Sequence, residues 1–215
     1  MKKIILTILT LFLLISCNEK EIVEEENQTI TNIEKYNILA LWDSLTAWYN
    51  LEYSDSYPSQ LENKLEEKNY NYKVINAWVS WDTSKNLLSR IDLYTGNYEI
   101  ILLNIGWNDW LRSLSTNDLK ENITTIINKF PESKIVLFSI DIPWNYSLLY
   151  RNKLKNVYKE ISEEKEIYYY WLFFEWLDYS KHFLNDKIHP NKEWYKIISE
   201  NIIEYLIENK LIKND

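Results

Sequence analysis

Residues 36–45, YNILALWDSL, carry a short apolar run that leads directly into Asp43 and Ser44. The length of the run and its β-favouring side chains predict a buried strand over residues 36–41. Ser44 then lies at the turn from this strand into a helix, where its side chain is exposed and its N–H points into a cleft. That position suits a nucleophile, although a serine there could be only the N-cap of the helix.

Short apolar runs of the same kind alternate with longer segments of helical period along the chain. The predicted strands cover residues 36–41, 72–77, 99–104, 134–140 and 167–172. The predicted helices cover residues 57–68, 84–93 with Ser84 as N-cap, 116–130, 148–162 and 191–209. This alternation is typical of an α/β fold in which a parallel sheet of about five strands is covered by helices on both faces.

The first residues have the pattern of an export signal. Two lysines precede the apolar run 4–15, which is too short to span a bilayer comfortably and ends just before Cys17. We therefore expect a signal peptide over residues 1–16. Residues 17–35 are rich in glutamate and poor in large apolar groups, which predicts a solvated acidic tether before one globular domain over residues 36–215.

The segment Leu14-Ile15-Ser16-Cys17 resembles the bacterial lipobox, in which cleavage leaves the cysteine at the new N-terminus to carry lipid. It predicts a protein that is exported to the cell envelope and held at the membrane by a lipid on Cys17. The alternative is an ordinary signal peptide with an incidental cysteine, which would give a secreted protein.

Charge and cysteine content exclude several classes of protein. Removing residues 1–16 takes away two positive charges and no negative charge, so the formal net charge moves from −8 to −10. This acidity argues against a nucleic-acid partner. Cys17 is the only cysteine, so a disulfide framework and a cysteine-based metal site are both excluded. We expect a single domain and a monomer.

The glycine and tryptophan counts are anomalous. The chain has two glycines and ten tryptophans in 215 residues, whereas glycine averages about 7% in soluble proteins. Trp42, Trp81 and Trp107 stand beside polar residues at predicted turns, and Trp176 and Trp194 stand where a small residue is expected. We interpret Trp42, Trp81 and Trp107 as turn sites and not core sites, because turns need glycine.

One explanation is that the gene uses UGA as a glycine codon and was translated with UGA as tryptophan. The combined total of twelve glycines and tryptophans would then be an ordinary glycine content. The alternative is a genuinely tryptophan-rich protein, such as one that binds sugars.

The loops that follow the second and third predicted strands carry groups that could stabilise an oxyanion. In a parallel α/β sheet, ligands bind outside the carboxyl ends of the strands. The loop over residues 76–84 offers a backbone N–H at Trp81, and Gly106-Trp107-Asn108-Asp109 offers the Asn108 amide. Asparagine is also a common turn residue, so this signal is weak alone.

A loop near the C-terminus carries the best candidate for a general base. Asp186 precedes His189 by three residues, and Pro190 and a predicted helix follow. Asp186 can hold the imidazole in one tautomer while the other ring nitrogen accepts the proton of a serine. A lone Asp-x-x-His could equally be surface polar residues. The second histidine, His182, is predicted to face solvent.

Together these four loops resemble the four sequence blocks of the SGNH, or GDSL, hydrolases, in the same order over about residues 36–208. Those blocks are Gly-Asp-Ser-Leu, a glycine block, Gly-x-Asn-Asp and Asp-x-x-His-Pro. Here they read Trp42-Asp43-Ser44-Leu45, Ser80-Trp81-Asp82-Thr83, Gly106-Trp107-Asn108-Asp109 and Asp186-Lys187-Ile188-His189-Pro190. The chain is most similar to the bacterial arylesterase, thioesterase I and lysophospholipase branch.

This resemblance implies a three-layer α/β/α sandwich of flavodoxin-like type without a metal or an organic cofactor. It implies that Ser44 is the nucleophile, His189 the general base and Asp186 its orienter. The implied oxyanion donors are the N–H groups of Ser44 and Trp81 and the side chain of Asn108. The implied substrate-binding residues are Trp110, Leu111, Ile142, Pro143 and Tyr146, and the loop over residues 110–115 would line the acyl pocket. The chain departs from the family at positions 42, 81 and 107, where tryptophan replaces the family's glycine.

The resemblance therefore predicts a serine esterase that acts on short or medium acyl esters, thioesters or lysophospholipids through an acyl-serine intermediate. One alternative is an esterase that removes acetyl groups from carbohydrate. Another is a pseudoenzyme that binds glycan or lipid, which requires the tryptophans to be real.

Overall fold

The computed structural model describes residues 35–43, 52–140, 148–171, 178, 181–185 and 189–214. The chain divides into two compact units, residues 1–32 and 33–215, and every described residue belongs to the second. The predicted boundaries at residues 16 and 35 lie outside or at the margin of this part. No helix in the described ranges is long and apolar enough to cross a membrane.

Five parallel strands form the centre of the structure. They are β1 (Tyr36–Leu41), β2 (Tyr72–Asn76), β3 (Ile100–Leu103), β4 (Lys134–Phe138) and β5 (Tyr168–Tyr170), in the spatial order β2-β1-β3-β4-β5. All four strand pairings are parallel, so the carboxyl ends lie along one edge of the sheet. From β1 the chain adds β2 on one side and β3, β4 and β5 on the other, so the order reverses between β1 and β3. A sheet of this type opens its ligand crevice at that point. The five predicted strands are confirmed, with ends that differ by at most two residues.

Helices cover both faces of the sheet. In the described residues they are α1 (Tyr57–Glu67), α2 (Ser84–Arg90), α3 (Trp107–Leu111), α4 (Thr116–Ile127), α5 (Leu148–Lys165) and α6 (Lys192–Glu208). The five predicted helices are confirmed. The sequence did not predict α3, because five residues are too few to show a helical period.

The predicted N-cap of α2 is wrong. Thr83 caps this helix, since its side chain accepts a hydrogen bond from the Asn86 N–H while the Asn86 side chain accepts one from the Thr83 N–H. This reciprocal capping box satisfies two N–H groups that the first turn leaves free. The Ser84 hydroxyl instead bonds a carboxylate on α3.

Alternate strand residues feed two apolar cores, one on each face. Helices α1 and α6 pack on one face, and α2, α4 and α5 pack on the other, which confirms the three-layer arrangement. In β1, Ile38 and Ala40 face the first core, and Leu39 and Leu41 face the second. Burial on both sides explains why the strands read as continuous apolar runs.

Two of the anomalous tryptophans lie in the core, so Trp42 is not the predicted turn site, and Trp194 does not stand where a small residue is needed. Trp42 is fully buried, with its ring 4.5 Å from that of Tyr57 and 5.0 Å from that of Phe138, between centroids. Trp194 is fully buried on α6. Trp176 lies outside the described residues.

Gly106 joins β3 to α3 in a conformation that requires glycine. Its φ is +126°, where a side chain is strained, and an added Cβ would overlap the hydroxyl of Tyr158. That buried hydroxyl donates a 2.5 Å hydrogen bond to the Ile105 carbonyl. The close approach of α5 to this junction therefore depends on the missing side chain.

We expect Gly106→Ala to lower the free energy of unfolding by at least about 2 kcal/mol, because backbone strain and a steric overlap add. Urea denaturation followed by circular dichroism measures the loss. Gly96→Ala is the control: Gly96 is exposed, its φ lies outside the left-handed region, and its Cβ would meet the tip of Tyr98. A loss of stability in Gly106→Ala no larger than in Gly96→Ala would contradict the close packing of Tyr158 against Gly106.

Candidate active site

Backbone hydrogen bonds beyond the strand ends hold two loops beside the residues that precede Ser44. The Val79 N–H donates to the Trp42 carbonyl at 3.4 Å, and the Asn104 N–H donates to the Leu41 carbonyl at 2.9 Å. The loop after β2 and the loop after β3 therefore flank the end of β1. Asp43, the next residue of this segment, is fully buried. Ser44 itself lies outside the described residues.

Residues 79–82 form a tight turn at this edge. The Asp82 N–H donates to the Val79 carbonyl at 3.3 Å, and the third residue, Trp81, has a φ of +66°. Ser80 does not share this positive φ, so the turn is of type II, which favours glycine at its third position. The Trp81 indole is 56% exposed, so little burial offsets the strain. The prediction that Trp81 occupies a turn is confirmed.

Asn108 lies against this turn. Its side chain is almost completely buried on α3, and its Nδ2 donates to the Asp82 carbonyl at 2.9 Å. An amide nitrogen carries two hydrogens, so this bond orients the group and leaves the second hydrogen for another acceptor. The structure thus places two of the predicted oxyanion donors, the Trp81 peptide and the Asn108 amide, side by side.

A buried carboxylate that the sequence analysis missed joins α3 to α2. Asp109 accepts hydrogen bonds from the N–H of Ser84 at 2.8 Å and from its hydroxyl at 2.6 Å. The Asn122 Nδ2 donates in turn to the Ser84 hydroxyl at 2.9 Å. Hydrogen bonds to a charged acceptor are the stronger kind. They fix the start of α2, and with it the turn that precedes it.

Two arginines, also missed, contact the same turn. The Arg90 Nε donates to the Asp82 carboxylate at 2.6 Å in a largely buried ion pair, and its Nη1 donates to the Tyr94 hydroxyl. The Arg112 Nη2 donates to the Trp81 carbonyl at 2.9 Å. No local periodicity in the sequence could reveal these partners, which lie 8 and 31 residues apart.

His189 is buried, and backbone pairing joins its segment to residues 183 and 184. Its carbonyl accepts from the Leu184 N–H at 2.8 Å, and Phe183 and Pro190 form an antiparallel bridge. Asp186 lies outside the described residues. The triad of Ser44, His189 and Asp186 therefore stays a prediction.

His182 does not face solvent freely, so that prediction is wrong. Its Nδ1 accepts a 3.0 Å hydrogen bond from the Asp178 N–H, and its half-buried ring stacks on Trp194 at 5.9 Å between centroids. The Asn191 N–H donates to its carbonyl at 2.8 Å. His182 thus packs the loop of His189 against α6.

The predicted substrate-binding residues are partly described. Trp110 is half-buried, with its ring 5.0 Å from that of Trp107, and Leu111 is 48% exposed. The remaining three, Ile142, Pro143 and Tyr146, lie outside the described residues. No cluster of three potential metal-ligating side chains occurs in the described part of the chain.

Comparison with known proteins agrees with this geometry. The family described as GDSL-like lipase/acylhydrolase matches residues 40–197. An arylesterase of Vibrio mimicus is 27% identical over 177 residues, which are 80% of this chain and 88% of the arylesterase. The thioesterase 1/protease 1/lysophospholipase L1 of Escherichia coli (strain K12) is 27% identical over 168 residues, which are 76% of this chain and 79% of that protein.

A solved structure is similar over nearly its whole length. The psychrotrophic esterase EstA from Pseudoalteromonas sp., in a crystal structure inhibited by monoethylphosphonate, is 28% identical with a TM-score of 0.74. The match covers 81% of this chain and 98% of the esterase.

We expect Trp81→Gly to raise the free energy of unfolding by about 0.5–1 kcal/mol, because relief of left-handed strain exceeds the entropy that glycine adds to the unfolded chain. Thermal and urea unfolding measure the gain. Trp171→Gly is the matched control, since Trp171 is 50% exposed without a positive φ. Equal effects of the two substitutions would show that the turn is not strained.

Proposed function

The chain belongs to the GDSL-like lipase/acylhydrolase family, and on that premise we propose that it hydrolyses carboxylic esters and thioesters through an acyl-enzyme on Ser44. The observation that carries the proposal is the meeting of the Trp81 turn and the Asn108 amide at the end of β1. Backbone and amide donors fixed before substrate arrives are what an oxyanion requires.

In this proposal the Ser44 hydroxyl attacks the carbonyl carbon while His189 accepts the hydroxyl proton, and Asp186 holds the imidazole. The negative oxygen of the tetrahedral intermediate is stabilised by the N–H groups of Ser44 and Trp81 and by the Asn108 amide. The bond between the acyl carbon and the oxygen or sulfur of the leaving group then breaks, and His189 donates its proton to the departing alcohol or thiol. Water then attacks the acyl-serine ester with His189 again as the base. The bond to the Ser44 oxygen breaks, His189 returns the proton to that oxygen, and the carboxylic acid leaves.

We further propose acyl esters, acyl thioesters or lysophospholipids as the substrates. The related proteins named arylesterase and thioesterase 1/protease 1/lysophospholipase L1 support this range. The apolar rim of the site supports it too, because Val79, Leu111 and Leu114 are each at least 40% exposed beside the Trp81 turn. Such a rim suits an acyl chain better than a sugar.

We expect Ser44→Ala to lower kcat on p-nitrophenyl butyrate by a factor of about 10³ or more, because the nucleophile is removed. Ser89→Ala, which changes an exposed serine on α2, should retain wild-type activity. A fluorophosphonate probe should label the wild type at Ser44 with a stoichiometry of one. Hydrolysis that survives Ser44→Ala would refute the nucleophile. Acetylated xylan cleaved faster than the fatty-acyl esters would favour the carbohydrate esterase instead.

We propose that the protein is exported and anchored to the cell envelope by lipid on Cys17. The lipobox-like segment over residues 14–17 and the preceding apolar run support this location. When the full chain is expressed in a bacterium, labelled palmitate should enter the wild type and the protein should partition into detergent. Cys17→Ser should abolish both effects. Incorporation that survives Cys17→Ser would exclude this anchor.

A further inference from the structure

We propose that Arg112 is a positioning residue, which holds the Trp81 turn in the form that presents its N–H to the oxyanion. The inference rests on the proposed function, because it assigns the Trp81 N–H as an oxyanion donor. No role for Arg112 follows from the sequence blocks, since it lies three residues beyond the Gly-x-Asn-Asp block.

Arg112 directly follows α3, and hydrogen bonds hold both its backbone and its side chain. Its backbone N–H donates to the Asn108 carbonyl at 3.2 Å, so its backbone is tied to another predicted oxyanion donor. Its guanidinium reaches across the surface, and Nη2 donates to the Trp81 carbonyl at 2.9 Å. Among the hydrogen bonds of the described residues, this is the side-chain contact that joins the segment 110–115 to the turn.

The type of turn decides where the Trp81 N–H points. This N–H belongs to the central peptide of the turn, between Ser80 and Trp81. A type I turn and a type II turn differ by a flip of that central peptide, so its N–H faces opposite sides in the two forms. A residue with a Cβ at the third position favours type I, because type II needs a positive φ there. Trp81 therefore needs support from other residues to keep the type II turn that is observed.

Three side chains stabilise the turn by hydrogen bonds to Trp81 and Asp82. Arg112 holds the Trp81 carbonyl, Asn108 holds the Asp82 carbonyl, and Arg90 holds the Asp82 carboxylate. The Arg90 pair is largely buried, whereas Arg112 is exposed. Because Arg112 is exposed, its bond to the Trp81 carbonyl is the one that a molecule bound at the surface can strengthen or weaken.

The segment that carries Arg112 is the one proposed to meet the acyl chain. Leu111 and Leu114, before and after Arg112 in the chain, expose their side chains, and Ser113 adopts a positive φ of +53°. The Ser113 N–H donates to the Trp110 carbonyl and the Leu114 N–H to the Asp109 carbonyl, both at 2.9 Å. An acyl chain that seats on this segment would therefore fix Arg112, and through it the oxyanion turn.

The experiment compares Arg112→Ala, Arg112→Lys and the control Arg151→Ala on esters of increasing acyl length. Arg112→Ala should lower kcat by about fivefold with KM changed less than twofold, a smaller loss than removal of an oxyanion donor. Arg112→Lys should retain part of kcat, because an ammonium can donate one bond. Arg151 lies on α5, and its replacement should leave kcat unchanged.

Two further measurements separate positioning from a structural role. Guanidinium chloride at non-denaturing millimolar concentrations should restore part of kcat to Arg112→Ala and nothing to wild type or Arg151→Ala. Hydrogen exchange of the amides at residues 79–84 should accelerate in Arg112→Ala alone, whether or not the preparation is active. Unchanged exchange there would overturn the proposal.

The kinetic outcomes also distinguish this inference from the proposed function. Wild-type kcat in Arg112→Ala, combined with loss in Ser44→Ala, would overturn the role of Arg112 and leave the esterase intact. A low kcat without guanidinium rescue, accompanied by a lowered melting temperature, would show a structural role and overturn it as well. Activity that persists in Ser44→Ala would overturn the proposed function and this inference with it.

Discussion

Hydrogen bonding on both edges of β1 is the constraint on which the candidate site depends. Parallel pairing with β2 and β3 brings three carboxyl ends to the same level of the sheet. The backbone bonds from Val79 and Asn104 extend this pairing past the ends of the strands. Two loops far apart in sequence therefore meet beside the segment that leads to Ser44. A shift of one residue in either register would turn the loop residues to the opposite face.

Two of the tryptophans at family glycine positions, Trp42 and Trp81, differ in their physical situation. Trp81 is exposed and strained, so glycine suits the backbone there. Trp42 fills a core position against Tyr57 and Phe138, so glycine would remove a large buried contact. Decoding of UGA as glycine stays a hypothesis, which the positive φ of Trp81 favours and the core packing of Trp42 opposes.

The apolar runs and the helical spacing of apolar residues in the sequence were enough to predict the sheet and the five long helices. Each of those elements carries its apolar pattern within its own residues, as the continuous run 100–103 and the stripe on α4 do. The helix α3 and the Thr83 cap were missed because their local signals are short or shared with neighbouring residues. The polar contacts of the site were missed for a different reason. Ser84 and Asp109 are 25 residues apart, and only the fold brings them together.

The supports of the Trp81 turn differ in burial, and this difference suits them to different tasks. The Arg90–Asp82 pair and the Asp109–Ser84 bonds are shielded from water, so breaking them leaves a charge or a polar group unpaired. They keep the loop in place whether or not substrate is bound. The Arg112 bond is open to solvent, where water replaces a lost partner and the net gain is small, of the order of 1 kcal/mol. A difference of that size changes a two-state population about fivefold. It is small enough for a bound acyl chain that fixes Arg112 to add to it measurably, and large enough to alter how often the Trp81 N–H is in place.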